Sequence, residues 1–494
     1  MQGFETALTW SNLLYCLIGV MLGMFIGVLP GLGPVSGTAL LIPITFGMEP
    51  VSAIIMLSGI FYGSMYGGTI TSVLVNVPGE AASVITCIDG YEMTKKGRAG
   101  AALGVSAIGS FIGGVVAVTA LTFVGPALSK FALKFGPPEF FAIMLLGMLM
   151  IVALMGKSLV RGLIAAVLGL LFAMVGQDMV TGEFRFTFGS IELMDGIDFA
   201  VMAMGLFGIS EILLNAENPT KVKKPEKVKG LLPRREEWGP TLKSVGRGTG
   251  IGMLLGVIPG ANSIIASTFS YILEKKVAKD PSRFGKGAIE GVAGPETANN
   301  AHSGAALIPL FSLGLPSSPT MAVILGAFIM HGLTPGPALF TKNPDFVWGL
   351  IASMFIGNVL LLIMNMPLVG MWAKIALIPY KLLFPIILMV ILVGTYSLNG
   401  SLWDVGLMLI FGVIGYILKK LDIPMSAMIV TFILGSQLET SMLQSLSIST
   451  EGFLIFFTQP ISAVIMSIAL IIFVLSILSG VKNKRGKLAD DVEM

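Results

Sequence analysis

The chain has 494 residues, of which 54% are hydrophobic and only 12% are charged, and its formal net charge is +3. Since a soluble globular protein carries about 25% charged residues, this composition excludes a soluble enzyme, a disordered chain and a nucleic-acid-binding protein. A polytopic membrane protein remains. The two cysteines and two histidines are too few and too dispersed to indicate a disulfide framework or a metal centre.

Apolar runs of about 20 residues mark membrane-spanning helices. Full-length runs lie near residues 11–29, 99–125, 138–156, 162–176, 199–215, 345–366, 382–398, 404–418 and 453–480, with a shorter run at 423–437. Glycine and proline interrupt the apolar sequence near 31–90 and 248–331. Counting each interrupted segment once, we expect an all-α polytopic membrane protein with about 12 membrane segments. No basic residue precedes Lys95, so the first run is expected to be retained rather than cleaved as a signal peptide.

Lys and Arg in short loops mark the cytoplasmic side of a membrane protein. The loops that we therefore place in the cytoplasm lie at 95–98, 221–247, 275–286, 419–420 and 482–487. The loop at 177–198 carries five acidic residues and one basic residue, and 438–452 has no basic residue, so both are predicted to lie outside. This assignment puts the N-terminus outside and the C-terminus inside.

The chain contains an internal repeat. Residues 23–31 (GMFIGVLPG) and 252–260 (GMLLGVIPG) are identical at six of nine positions, at an offset of 252 − 23 = 229. Residues 76–80 (NVPGE) stand where 314–318 (GLPSS) stand in the second half. The loop at 47–50 has no basic residue whereas its counterpart at 275–286 is basic, and the next pair shows the reverse, with 95–98 basic and 334–337 not. Equivalent loops of opposite charge predict two halves of opposite membrane orientation, which is the inverted-repeat plan of secondary transporters.

These patterns divide the chain into four parts. Residues 1–215 form the first half, with a core of re-entrant hairpins at about 20–92 and scaffold spans at 99–215. Residues 216–247 form a basic cytoplasmic linker. Residues 248–480 form the second half, with a hairpin core at about 250–332 and scaffold spans at 345–480, and residues 481–494 form a cytoplasmic tail.

The Pro- and Gly-containing interruptions are the candidate binding site. Irregular backbone survives at membrane depth only where protein or water satisfies it, and interruptions in matching places of two halves are the best sequence pointer to a transporter's site. They lie at 29–34, 77–80, 259–263, 294–296 and 315–319. A half-helix that begins inside the membrane presents free N–H groups and a positive dipole end to an anion. Because Pro favours the first helical position, we interpret Pro78, Pro295 and Pro316 as helix starts.

Two sets of site residues follow from this interpretation. Those predicted to bind an anionic substrate through caps, hydrogen bonds or exposed backbone N–H groups are Ser36, Asn76, Pro78, Gly79, Asn262, Ser263, Asn299, Asn300, Ser317, Ser318 and Thr320. Those predicted to bind a coupling ion through unwound carbonyls or carboxylates are Gly31, Gly33, Glu80, Gly260, Glu296 and Gly314. Helix packing is the alternative for the glycines, bonding back to the helix for Ser and Thr, capping for the glutamates, and a structural network for the two asparagines.

Several of these motifs resemble those of a known family. GVLPGLGP at 27–34, NVPGE at 76–80, GVIPG at 256–260, GPETANN at 294–300 and Leu315-Pro316 are similar to motifs of the TctA-type permeases, the large membrane subunit of tripartite tricarboxylate transporters. The resemblance covers nearly the whole chain. It implies a system of the bacterial inner membrane that imports carboxylates with an ion gradient. It also implies two partners, a small membrane subunit and a periplasmic solute-binding protein that delivers the substrate.

We therefore expect the translocating subunit of a cation-coupled carboxylate importer, with no catalytic residue and no cofactor other than a Na⁺ ion. A self-sufficient carboxylate carrier is the alternative within transport. An intramembrane enzyme or an ATP-driven pump has no support, because the sequence contains no G-x-S-x-G, H-E-x-x-H or G-x-x-x-x-G-K-[ST] motif. The residues leave open which carboxylate is moved, whether Na⁺ or H⁺ is coupled, and the oligomeric state.

Overall fold

The computed structural model describes residues 2–29, 31–155, 158–178, 181–217, 228, 230–378 and 380–492. Some predicted features fall outside these residues. They are Pro30 of the first interruption, most of the basic linker (218–227 and 229), and the chain ends at 1, 493 and 494.

The first half of the described chain is built from ten α-helices and one short hairpin. The helices are α1 (Gln2–Ala7), α2 (Trp10–Val28), α3 (Gly33–Leu41), α4 (Pro50–Val75), α5 (Val84–Lys95), α6 (Ala99–Ala132), α7 (Pro137–Met155), α8 (Leu159–Ala173), α9 (Phe199–Ala203) and α10 (Ser210–Glu217). A π-helical turn, Met204–Ile209, joins α9 to α10. Strands β1 (Gly176–Gln177) and β2 (Phe184–Arg185) pair antiparallel between α8 and α9.

The second half of the described chain contains twelve α-helices. They are α11 (Trp238–Gly256), α12 (Ser263–Val277), α13 (Glu290–Ala305), α14 (Leu307–Leu313), α15 (Pro319–Met330), α16 (Leu339–Lys342), α17 (Pro344–Ile375), α18 (Tyr380–Asn399), α19 (Leu402–Lys420), α20 (Met425–Ile448), α21 (Ile455–Thr458) and α22 (Pro460–Val492).

Ten of these helical segments are long and apolar enough to cross a membrane. They are α2, α4, α6, α7, α9 continued by α10, α17, α18, α19, α20 and α22. Three shorter apolar segments accompany them, at Gly33–Thr45, Leu159–Ala173 and Pro319–Met330. The protein is therefore an all-α polytopic membrane protein, and the predicted fold class is confirmed.

The first hairpins of the two halves pack in the same way. A Cβ added at Gly23 would lie 2.3 Å from the carbonyl oxygen of Ile60 in α4, and one added at Gly252 would lie 2.3 Å from that of Ala298 in α13. Both helices carry such glycines at every fourth position, which lets two backbones approach closely. The glycines are Gly19, Gly23 and Gly27 in α2 and Gly248, Gly252 and Gly256 in α11. The offsets, 252 − 23 = 229 and 298 − 60 = 238, recur along each stripe.

Backbone conformation follows the same repeat. Asn76 ends α4 in the left-handed region (φ 59), and Gly314, 238 residues later, ends α14 in the same region (φ 71). Gly31 (φ 95) and Gly260 (φ 82) also correspond, 229 residues apart. A left-handed residue terminates a helix by turning the chain. The internal repeat therefore extends from sequence to backbone geometry, whereas the opposite orientation of the halves stays a prediction.

One predicted interruption is wrong. The interruption expected at 294–296 does not occur, because α13 runs from Glu290 to Ala305 with Pro295 inside it. Proline removes only one backbone N–H from a helix, and the Pro295 carbonyl instead accepts a hydrogen bond from Ser267 Oγ of the neighbouring α12 at 3.1 Å. The helical chain is divided later, at Ala306, between α13 and α14.

The other two prolines are also not helix starts. Pro78 precedes α5, which begins at Val84, and Pro316 precedes α15, whose first residue is Pro319. Both prolines lie in the non-helical segments of the interruptions.

Loops that the charge pattern assigns to one side of the membrane are neighbours in space. Arg98 of the first basic loop pairs with Glu237 at 2.6 Å, and Lys96 Nζ donates to the carbonyl oxygen of Lys286. The two loops predicted to lie outside are joined by Arg185 and Glu439 at 2.8 Å. The predicted grouping of loops is therefore compatible with the packing of the helices.

Candidate functional site

Interruptions from both halves converge on one cavity of about 470 Å³. Its wall includes the beginnings of α3, α12 and α15 and the segment 80–82 that precedes α5. The predicted site residues that line it are Gly31, Gly33, Ser36, Glu80, Asn262, Ser263, Ser318 and Thr320. A cavity of this volume is within the range of small-molecule sites.

Two capped helix N-termini of the second half reach the cavity. Asn262 caps α12, its side-chain oxygen accepting from the backbone N–H of Ile265 at 3.3 Å. Ser318 caps α15 in the same way, with its Oγ accepting from the N–H of Met321 at 3.3 Å. A cap of this kind satisfies one of the four free N–H groups of a helix start. The remaining groups and the positive dipole end favour an anion there.

The first half presents different chemistry at the equivalent place. Ser318 corresponds to Glu80, because 318 − 80 = 238. Helix α3 begins without a side-chain cap at Gly33, and α5 also begins without one. The repeat is therefore symmetric in backbone and asymmetric in charge, with neutral donors on one side of the cavity and a carboxylate on the other.

Glu80 lies at the cavity wall with only 7% of its surface exposed. Its Oε1 accepts a hydrogen bond from Asn299 Nδ2 at 2.5 Å. Its Cγ lies against α4, where a Cβ at Gly68 would be 3.1 Å away. No described Lys, Arg or His side chain forms an ion pair with this carboxylate, which is unusual for a buried charge.

Glu296 is held differently. It is 1% exposed and does not line the cavity. Its carboxylate accepts hydrogen bonds from the hydroxyl groups of Thr69 (2.6 Å), Ser106 (3.3 Å) and Thr86. Donors from α4, α5 and α6 thus satisfy this carboxylate inside the protein.

The two predicted asparagines lie behind the cavity wall, on α13. Asn299 reaches the cavity only through its bond to Glu80, and Asn300 Nδ2 donates to Ser110 Oγ at 2.7 Å. Both side chains are 1% exposed, and their Oδ1 atoms have no hydrogen-bond partner among the described residues. Two unsatisfied acceptors in an apolar block are costly unless a ligand or a conformational change uses them.

The remaining predicted site residues shape the interruptions without lining the cavity. The Gly260 N–H donates to the Ser317 carbonyl at 2.9 Å, which ties the two interruptions of the second half together. A Cβ at Gly79 would lie 2.3 Å from the Gly27 carbonyl oxygen, so this glycine allows a close backbone approach. The residues in this group are Asn76, Pro78, Gly79, Gly260, Gly314 and Ser317.

Sequence reasoning missed several residues of the cavity wall. His302 was visible in the polar run 295–303, and its ring hydrogen-bonds the Ala261 carbonyl next to the α12 cap. Glu211 and Lys419 belong to scaffold helices, and no local pattern marked them. The wall residues not predicted from sequence include Phe61, Met65, Phe207, Glu211, His302 and Lys419.

Comparison with known proteins connects this site to a family. The sequence profile of the tripartite tricarboxylate transporter TctA family matches residues 13–430. An "uncharacterized 52.8 kDa protein in TAR-I ttuC′ 3′region" of Agrobacterium vitis is 45% identical over 486 residues, which cover 98% of this chain and 97% of that protein. An "uncharacterized protein in TAR-II ttuC′ 3′region" of the same organism is 44% identical over 234 residues, 47% of this chain and 97% of that protein. No solved structure matches this chain. The resemblance seen in the motifs is therefore confirmed, and the chain belongs to the TctA family of tripartite tricarboxylate transporters.

Proposed function

We propose that this chain is the subunit that moves a carboxylate across the membrane together with a cation. Its family makes it a component of a tricarboxylate transporter, in a family of transporters rather than of enzymes. The observation that carries the finer proposal is the cavity, where two helix N-termini of one half face an unpaired carboxylate of the other.

Neutral groups would bind the substrate. The starts of α12 and α15 offer backbone N–H groups, and Ser263 and Thr320 add hydroxyl groups to the same wall. Helix ends of this kind bind carboxylates without a full positive charge. Ser36 at the start of α3 supplies a further hydroxyl group from the first half.

Glu80 supplies the reason for a coupled cation. A substrate carboxylate in this cavity shares it with a second carboxylate, and two like charges about 4 Å apart repel by about 4 kcal/mol at an effective dielectric constant of 20. A Na⁺ ion or a proton on Glu80 removes that repulsion. Substrate and cation therefore favour each other's binding, which is the thermodynamic basis of symport.

Glu296 would have a supporting role in this scheme. Because three hydroxyl groups already satisfy its carboxylate, a cation has less to gain there than at Glu80, which has a single side-chain donor. The fixed negative charge of Glu296 favours a cation in its neighbourhood.

Partners and location complete the proposal. We place the chain in a bacterial inner membrane with its N-terminus in the periplasm, working with a small membrane subunit and a periplasmic binding protein. The tripartite name of the family supports the two partners.

Exchange in vesicles tests the proposed function. We expect the reconstituted chain to exchange labelled carboxylate in counterflow, with a rate that depends on Na⁺ or on pH, using acetate, succinate and citrate as mono-, di- and tricarboxylate probes. Full transport by this chain alone would favour the self-sufficient carrier. Absence of exchange for every probe, with folded protein and with both partners added, would contradict the proposal.

Tags at residues 1 and 494 test the orientation. An odd number of crossings puts the two ends on opposite sides, and the basic loops put the C-terminus inside. We expect a tag at residue 1 to react with an impermeant reagent in intact cells and a tag at residue 494 to react only after lysis. Two tags on one side would refute the topology.

A further inference from the structure

The cavity reaches beyond the interruptions to a second element, the loop between α19 and α20. Its wall there is formed by Glu211 of α10, Lys419 at the end of α19, and residues 422–426. The Lys419 side chain is 46% exposed. This end is therefore the mouth through which the cavity communicates with solvent, and we call it the α19 mouth.

Lys419 is the single Lys or Arg among the described residues that line the cavity. Its Nζ lies 2.6 Å from Glu211 Oε2. The other charged side chains of the wall, Glu80 and Asp422, are acidic. An anion that enters through the α19 mouth thus meets one cation, already occupied by a carboxylate of the protein.

The structure leaves Glu211 a partner when Lys419 is taken. Its Oε1 accepts a hydrogen bond from Asn215 Nδ2 at 3.1 Å, on the side away from Lys419. Asn215 also lies against the first interruption, since a Cβ at Gly31 would be 2.9 Å from Asn215 Oδ1. Loss of the ion pair therefore does not strand Glu211 as a buried charge without a donor.

We propose that Lys419 forms an anion site at the α19 mouth, where a carboxylate group of the substrate replaces Glu211. This inference rests on the proposed function. One carboxylate replaces another on the same ammonium group, so no charge is left unpaired, and the partly solvated ion pair is weak enough to exchange. Compounds with several carboxylates gain most, because one group remains free to bind at the mouth. By the predicted sidedness, this mouth faces the cytoplasm.

The chain provides a matched control in the next residue. Lys420 ends the same helix and pairs with Glu217 at 2.7 Å, but it does not line the cavity. Lys419→Gln and Lys420→Gln therefore remove the same charge from the same helix end, and only the first removes it from the cavity.

The test measures KM for citrate and for acetate, with substrate applied on the side of the α19 mouth of the reconstituted chain. We expect Lys419→Gln to raise KM for citrate about tenfold and KM for acetate much less. Lys420→Gln should leave both values within about twofold of wild type. Glu211→Gln should lower KM for citrate, because it removes the competing carboxylate, and this opposite sign distinguishes an anion site from a structural ion pair.

Two outcomes overturn the inference. One is a citrate KM in Lys419→Gln that equals that of Lys420→Gln. The other, which remains decisive if Lys419→Gln does not fold, is a Glu211→Gln variant whose citrate KM is unchanged or raised. If wild type exchanges no carboxylate at all, the proposed function fails instead, so the two failures are distinguishable.

Discussion

Glu80→Gln is expected to abolish concentrative carboxylate uptake and to leave exchange in counterflow intact. The substitution removes the charge that repels the substrate and the group that binds the cation, so substrate binds without a cation and coupling is lost. The repulsion of about 4 kcal/mol corresponds to about a thousandfold in the cation dependence of substrate binding. The measurement compares gradient-driven uptake with counterflow in the same vesicles, with and without the cation.

Glu92→Gln is the matched control for this experiment. Glu92 lies on α5, the helix that follows Glu80, and pairs at the surface with Lys95 at 2.6 Å. Its replacement should leave uptake and counterflow unchanged, because surface pairs contribute little. A Glu80→Gln protein that still accumulates substrate with a cation gradient would move the coupling site elsewhere, with Glu296 as the next candidate.

Gly252→Ala is expected to destabilise the protein strongly, whereas Gly250→Ala is not. A Cβ at Gly252 would lie 2.3 Å from the Ala298 carbonyl oxygen and 2.8 Å from Ala301 Cβ, so α11 must separate from α13. Overpacking of this kind costs about 1–3 kcal/mol. Gly250 lies on the exposed face of the same helix with nothing within 4 Å of the added Cβ. Alanine there gains up to about 1 kcal/mol of helix propensity.

Thermal unfolding of the purified protein in detergent measures both effects. Gly23→Ala in the first half should behave as Gly252→Ala does, because the two glycines occupy equivalent positions in the repeat. Equal unfolding temperatures for Gly252→Ala and Gly250→Ala would contradict the close approach of α11 and α13.

Local sequence was sufficient for the spans and the repeat. Each apolar run became a helix near its predicted position, because the length of a spanning helix is set by the bilayer and its composition by lipid contact. The stripe of glycines and the left-handed residues at 31 and 260 were visible as repeated letters, since close backbone approach and a positive φ both require particular residues.

The same local reasoning failed where packing overrides propensity. Pro295 predicted an interruption, and instead it lies inside a helix surrounded by α6, α11 and α12. A proline costs a helix one hydrogen bond and some strain. Burial of fifteen α13 residues, from Gly291 to Ala305, outweighs that cost, and no window of sequence around Pro295 contains those contacts.

The sequence alone therefore determined the class of protein, its helices, its two related halves and the interruptions at which an anion and a cation were expected. Only the tertiary structure decided which predicted residues share a wall. It separated Glu80 at the cavity from Glu296 inside the protein, and it brought Lys419 to Glu211 from 208 positions away. The physical reason is that composition and periodicity act over one helix, whereas a cavity is formed by side chains whose neighbours are set by how distant helices pack.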